Sequence, residues 1–165
     1  MKGNDKLFVQ NEKKVIFLMD KMDCDILKLL QDNGRMTISE LSKELALSRP
    51  SMSERLVRLQ EKGVIEGFTA RVSLKEIGKD ILLLIQVSGL KVALSDFEEV
   101  IKDEAEIIEC HRVTGEVSYF LKAAVSDVNS MRALIDRLIP YGTINTSTVL
   151  NSPVPYRTIL PDIKE

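Results

Sequence analysis

Apolar side chains recur three and four positions apart from about residue 19 to residue 65, whereas beyond residue 80 they gather in short β-branched runs bounded by turn residues. The first spacing predicts helices and the second strands. Asp20 can cap a helix in which Met22, Ile26, Leu29 and Leu30 share a face, ending at Asn33-Gly34, a pair that tolerates left-handed geometry. Thr37 followed by Glu40 has the spacing of a capping box, and Ile38, Leu41 and Leu45 then form one apolar stripe. The stripe breaks at Ala46-Leu47-Ser48. Ser48 caps a third helix with Pro50 in its first turn, where Met52, Leu56 and Leu59 point one way and Ser51, Arg55, Arg58 and Lys62 lie on a neighbouring polar stripe. Gly63 closes that helix. Two short helices across a tight turn, with a third before them, are the minimum of a helix-turn-helix.

The later part alternates strands and helices. Ile81 to Val87 reads as a strand, and Ser95 caps a helix with Phe97, Val100 and Ile101 inward. Ile107 to Val113 is a second strand, turned by Thr114-Gly115-Glu116 into a third from Val117 to Val125. Asp127 caps a helix whose Val128, Met131, Leu134, Ile135 and Leu138 share a face, stopped by Pro140 and Gly142 before a fourth strand, Thr143 to Leu150. The order βαββαβ predicts a ferredoxin-like module with four antiparallel strands and two helices on one face. The expected fold is therefore α+β: a three-helix, winged-type helix-turn-helix followed by the ferredoxin-like domain. Its segments are an extension over 1–18, the helix-turn-helix over 19–72, a linker over 73–80 containing Gly78, the second domain over 81–152, and a proline-rich tail over 153–165 that wraps the surface or a partner. Residues 64–72 read as an extended or hairpin-like exit, and Met19 is a candidate start codon.

Charge divides along the same boundary. The chain of 165 residues has a net charge of −2. Residues 1–90 carry 15 basic and 13 acidic groups, residues 91–165 carry 8 and 12, and Ser48 to Lys62 alone holds four cations against two acids. The acidic second half would repel a phosphate backbone, so nucleic-acid contact belongs to the first. A solvated helical hairpin is the plainer alternative. Hydrophobic residues make up 44% with no Trp, an ordinary balance for a globular protein. Cys24, Cys110 and the single His111 lack zinc-ligand spacing, so no metal or other cofactor is expected; both cysteines read as reduced thiols, with Cys110 and His111 as packed strand residues. No run approaches the roughly 20 apolar residues of a membrane helix and no signal-peptide core precedes a cleavage site, which points to the cytoplasm. No nucleophile elbow, phosphate-binding loop or Rossmann fingerprint is present, so an enzyme is not expected.

The segments MDKMDCDILKLLQDNGR, ISELSKELALS, ERLVRLQEKGVIEGFTA and IIECHRVTGEVSYFLK, in that order, resemble the Lrp/AsnC family of transcriptional regulators, also called feast/famine regulators. The resemblance runs from Met19 to Leu150. It implies a nucleoid-associated, DNA-binding regulator of amino-acid metabolism or transport genes. Dimerisation through the second domain and further assembly, commonly to octamers, follow from the same likeness. Its DNA-reading positions fall on Ser48, Arg49, Ser51, Ser53, Glu54, Arg55 and Arg58, with Thr37 at the start of the preceding helix. A dimer would set two recognition helices about one DNA turn, roughly 34 to 36 Å, or a multiple apart on double-stranded DNA, hence a near-palindromic operator.

For a small amino-acid effector the resemblance points to Gly115, Glu116, Ser118 and Tyr119 after the second strand, with Thr146 and Thr148 from the last. A turn amide near Gly115 could take a carboxylate, Glu116 an ammonium, and the threonine hydroxyls the rest. Relatives commonly carry Gly-Asp-x-Asp at this turn, where this chain has Gly115-Glu116-Val117-Ser118. The missing second acid leaves open an altered effector, or an effector-independent regulator or architectural protein. An adaptor that binds protein through the helical hairpin also stays open.

Overall fold

The computed structural model describes residues 19–161 and divides them into two compact units: one formed by the chain up to Ala70 together with Tyr156 onward, the other by Arg71–Pro155. The extension and a start at Met19 concern positions before the described residues.

In the first unit the three expected N-caps all form. Helix α1 (Lys21–Asp32) begins at Asp20, whose carboxylate accepts from the Asp23 amide while Asp23 accepts from the Asp20 amide, a complete capping box. Helix α2 (Ile38–Glu44) has the same device in Thr37 and Glu40, and α3 (Arg49–Glu61) starts at Ser48 with Pro50 in its first turn. Ile26, Leu27, Leu30, Leu41, Met52 and Leu59 form the core between the three helices. The turn between α2 and α3 places Ala46 at φ 51°, and the Leu47 amide reaches back to the Ser42 carbonyl at 3.0 Å. A left-handed C′ residue is the usual way to stop a helix, but glycine normally fills it. Asn33-Gly34 departs from expectation: Asn33 is extended at φ −143°, and its side chain accepts from the Arg35 amide instead. Residues 64–72 form no strand.

The tail returns to this unit. Gln31 on α1 donates to the Ile159 carbonyl at 2.8 Å and accepts from the Ile159 amide at 3.0 Å, and Thr158 donates to Asp32. Ile159, Leu160 and Pro161 thereby wall a groove of about 650 Å³ whose other side is Leu27, Leu30, Val64 and Phe68.

In the second unit, β1 (Ile81–Ser88), α4 (Leu94–Asp103), β2 (Ile107–Arg112), β3 (Val117–Val125), α5 (Val128–Leu138) and β4 (Thr143–Thr148) follow in the predicted order. The sheet runs β2-β3-β1-β4, with every neighbouring pair antiparallel. Leu83, Ile85 and Val87 of β1, with Tyr119, Leu121 and Ala123 of β3, meet Phe97 and Ile101 of α4 and Leu134 and Leu138 of α5 in one core. Gly142 passes so close to β1 that a Cβ there would stand 2.8 Å from the Ser88 carbonyl oxygen, which explains a glycine between α5 and β4.

Three side-chain expectations need correction. Helix α4 starts at Ala93, two residues before Ser95, whose hydroxyl instead donates to Asp96. Val128 is exposed, because only the later turns of α5 reach the sheet. Cys110 and His111 are exposed and not packed, because β2 is an edge strand and is solvated almost throughout.

Candidate nucleic-acid interface and effector positions

Helix α3 turns Met52 and Leu59 into the core, and its opposite surface exposes Arg49, Pro50, Ser51, Glu54, Val57 and Gln60. Ser48 stands exposed at the cap, with its hydroxyl 2.8 Å from that of Ser51, and Ser53 is half-buried. Thr37 is committed to the cap of α2, its hydroxyl donating to Glu40 at 2.8 Å. Val57 and Gln60 were not singled out from the sequence. Their exposure depends on the azimuth of α3, which a stripe count fixes only to within a residue.

Arg55 and Arg58 stand elsewhere than the polar stripe implied. The Arg55 Nη1 donates to Asp23 Oδ1 at 2.7 Å and lies 2.8 Å from Asp20 Oδ2, and Arg58 Nη2 donates to both Asp23 oxygens at 3.1 Å. The Asp23 carboxylate is buried, its side chain 1% exposed. Hydrogen bonds to Asp20 and Asp23 raise Arg55 above its usual range. Burial alone would push Asp20 up, but the Asp23 amide and the two guanidinium groups outweigh it and hold its carboxyl below the usual carboxylate value.

The six effector positions divide among three places in the second unit. Gly115, at φ 111°, and Glu116 are exposed at the β2–β3 turn, which is closed by the Val113 amide donating to Ser118. Tyr119 is buried on the helix side, where its hydroxyl donates to Glu98 Oε1 at 2.6 Å. Ser118, one residue earlier on β3, is left without a β1 partner by a bulge, since Val87 pairs with Tyr119 and Ser88 with Val117. Thr146 and Thr148 pair with Ile85 and Leu83 of β1, so they share the helix side. Because β1 lies between β3 and β4, the threonines stand two strand spacings, roughly 10 Å, from the β3 residues. One chain does not bring the turn and the threonines together. The Thr146 hydroxyl is buried without a hydrogen-bond partner.

The helix-free face carries Leu84, Gln86, Phe120 and Ser147 beside Glu109, His111 and Lys122. Leu84 and Phe120 are 48% and 41% exposed, and Lys122 pairs with Glu109 at 2.7 Å. Among the described residues no three His, Cys, Asp or Glu side chains cluster as metal ligands, and no helix is long and apolar enough to cross a membrane.

A capped three-helix unit that presents an exposed helix after a tight turn, followed in the chain by a ferredoxin-like sheet, is the architecture of a helix-turn-helix protein with a second α+β domain. Residues 19–66 match the winged helix-turn-helix DNA-binding model, and residues 81–159 match the Lrp/AsnC ligand binding domain. The chain is 34% identical to the uncharacterized HTH-type transcriptional regulator YezC of Bacillus subtilis, over 81% of this chain and 95% of that one. It is 33% identical to the leucine-responsive regulatory protein of Escherichia coli, over 71% and 73%. Among solved structures, the Neisseria meningitidis regulator NMB0573 in complex with L-Met superposes with a TM-score of 0.79 at 32% identity, over 87% of this chain and 96% of that one. Bacillus subtilis LrpC shares the fold, with a TM-score of 0.81 over 85% of this chain and all of that one. The chain belongs to the Lrp/AsnC family of transcriptional regulators.

Proposed function

We propose that this regulator acts in the cytoplasm, on nucleoid DNA, as a homodimer or higher oligomer that reads a near-palindromic operator and controls genes of amino-acid metabolism or transport. The observation that carries the DNA reading is the N-terminal half of α3: Arg49, Ser51 and Glu54 are exposed on a helix that buries Met52 and Leu59 in the core. Arg49 suits guanine or a phosphate, Ser48, Ser51 and Ser53 suit either, and Glu54 suits a cytosine amino group. Val57 adds an apolar contact for a thymine methyl and Gln60 a partner for adenine. Leu84 and Phe120 supply the dimer contact, since a four-stranded sheet with helices on one side leaves its other side in need of cover.

The effector in this reading is an amino acid, supported by the methionine complex of the Neisseria meningitidis relative. Glu116 and the amides of the Gly115 turn are the groups that suit its ammonium and carboxylate. The separation of that turn from Thr146 and Thr148 within one chain favours a site completed by a second copy. The same separation, with Ser118 in place of an acid, favours a second reading in which the regulator works without an effector.

A mobility-shift assay on the chain's own upstream region tests the DNA reading. Binding that weakens steeply as salt rises is expected, and absence of binding at every salt concentration would favour the protein adaptor. Calorimetric titration with a panel of amino acids separates the two effector readings: heat from any of them supports the first, and none from all supports the second.

A further inference from the structure

We propose that Asp23 is a positioning residue for DNA reading: its buried carboxylate on α1 holds the guanidinium groups of Arg55 and Arg58, keeping two cations of α3 off the phosphate backbone. The inference rests on the DNA reading above and assigns these two arginines a role through Asp23 in place of direct contact.

A carboxylate with a side chain 1% exposed cannot remain charged inside a helical core without partners. Asp23 has both. Arg58 Nη2 bridges its two oxygens at 3.1 Å, and Arg55 Nη1 spans Asp23 and Asp20 at 2.7 and 2.8 Å. Asp20 and Asp23 are themselves locked to each other's amides by the capping box, so the acidic end of the bridge does not swing. On α3 the two arginines sit three residues apart, both on one side of the buried Met52–Leu59 stripe. The bridge therefore ties that side of α3 to α1. With Arg55 and Arg58 bound to Asp23, the exposed positions of α3 between Arg49 and Lys62 are Pro50, Ser51, Glu54, Val57, Gln60 and Glu61, and the Arg58 guanidinium, although its side chain is 42% exposed, is engaged by the carboxylate. Such a surface discriminates by fit at the base edges and gains little from indiscriminate attraction to phosphate.

A merely structural role and this one predict opposite signs. Loss of a structural ion pair lowers affinity for all DNA. Loss of the Asp23 charge in the proposed arrangement releases two guanidinium groups, which raises affinity for unrelated DNA while sequence preference falls.

The test uses the full chain, a random-sequence duplex, and the duplex that the unsubstituted protein enriches from a random library. For Asp23→Asn we expect discrimination between the two duplexes to fall about tenfold. Its log-affinity against log-salt slope on random duplex should steepen by roughly 0.9 for each released arginine. Arg55→Gln should lower discrimination and leave that slope unchanged, and Asp23→Asn with Arg55→Gln should give back about one arginine's share of the steepening. Arg55→Gln that flattens the slope in the otherwise unsubstituted chain overturns the proposal, because Arg55 then already touches phosphate. Unaltered slope and discrimination in Asp23→Asn overturns it as well. If Asp23→Asn does not fold, the slopes of Arg55→Gln and Arg58→Gln decide alone: unchanged supports, flattened refutes. A wild-type chain that enriches no sequence defeats the DNA reading itself, and this inference with it.

Discussion

Tyr119 on β3 donates its hydroxyl to Glu98 on α4 at 2.6 Å, a polar link between sheet and helix beside which the Tyr119 and Phe97 rings stand 4.9 Å apart. Burial, then the Glu98 hydrogen bond and charge, push the Tyr119 hydroxyl from 10.0 up to about 12.

A folded value raised above the unfolded one contributes stability that is complete below the unfolded value and is lost as pH rises through the folded one. Tyr119→Phe is expected to be less stable than the parent by about 1 kcal/mol at neutral pH. The gap should close as pH rises from 10 toward 12. Denaturant melts across that range, followed by circular dichroism, check both the size and the direction.

Ala46 adopts φ 51° in the turn before α3, a conformation that disfavours any residue with a Cβ. Ala46→Gly should stabilise the helix-turn-helix by about 0.5 to 1 kcal/mol, the relieved strain outweighing the added freedom of the unfolded chain. Thermal unfolding of the two proteins side by side reads the difference. A lower midpoint for Ala46→Gly would mean that the turn is not strained.

Phe120→Asp and Leu84→Asp place a carboxylate in the middle of the helix-free sheet face. If that face joins two copies, each substitution should weaken self-association about 100-fold, equivalent to ~3 kcal/mol, and leave the monomer folded, since both side chains lie outside the core. Sedimentation velocity over a concentration series measures this. Unchanged association would move the dimer contact elsewhere on the chain.

The local chemistry of the helix ends was legible in the sequence. Asp20, Thr37, Ser48 and Asp127 each cap the helix that they were expected to cap, because an Asp, Ser or Thr oxygen reaching a first-turn amide is a matter of a few residues. Ser95 misled because Asp96 offered its hydroxyl a nearer partner. The order of strands and helices was also legible, since alternation and turn residues mark them independently of tertiary contacts. What could not be read was which way a charged residue faces when it borders a buried stripe. Asp23 was not singled out from the sequence, and Arg55 and Arg58 looked like part of a polar stripe. Only the packing of α1 against α3 makes them partners, at a separation of more than thirty positions. The division of Gly115 from Thr146 is likewise a property of sheet order, which no local pattern reports.

The return of residues 156–161 to α1 makes the second unit an insertion within the first. The DNA-binding part is consequently not one continuous stretch of sequence. A fragment cut at residue 70 would keep all three helices yet bare Leu27 and Leu30, the flank that Ile159 to Pro161 now lines, and would strip the Gln31 side chain of its two bonds to Ile159. To excise the helix-turn-helix intact, the two chain crossings at 70 and 156 would have to be joined directly to each other.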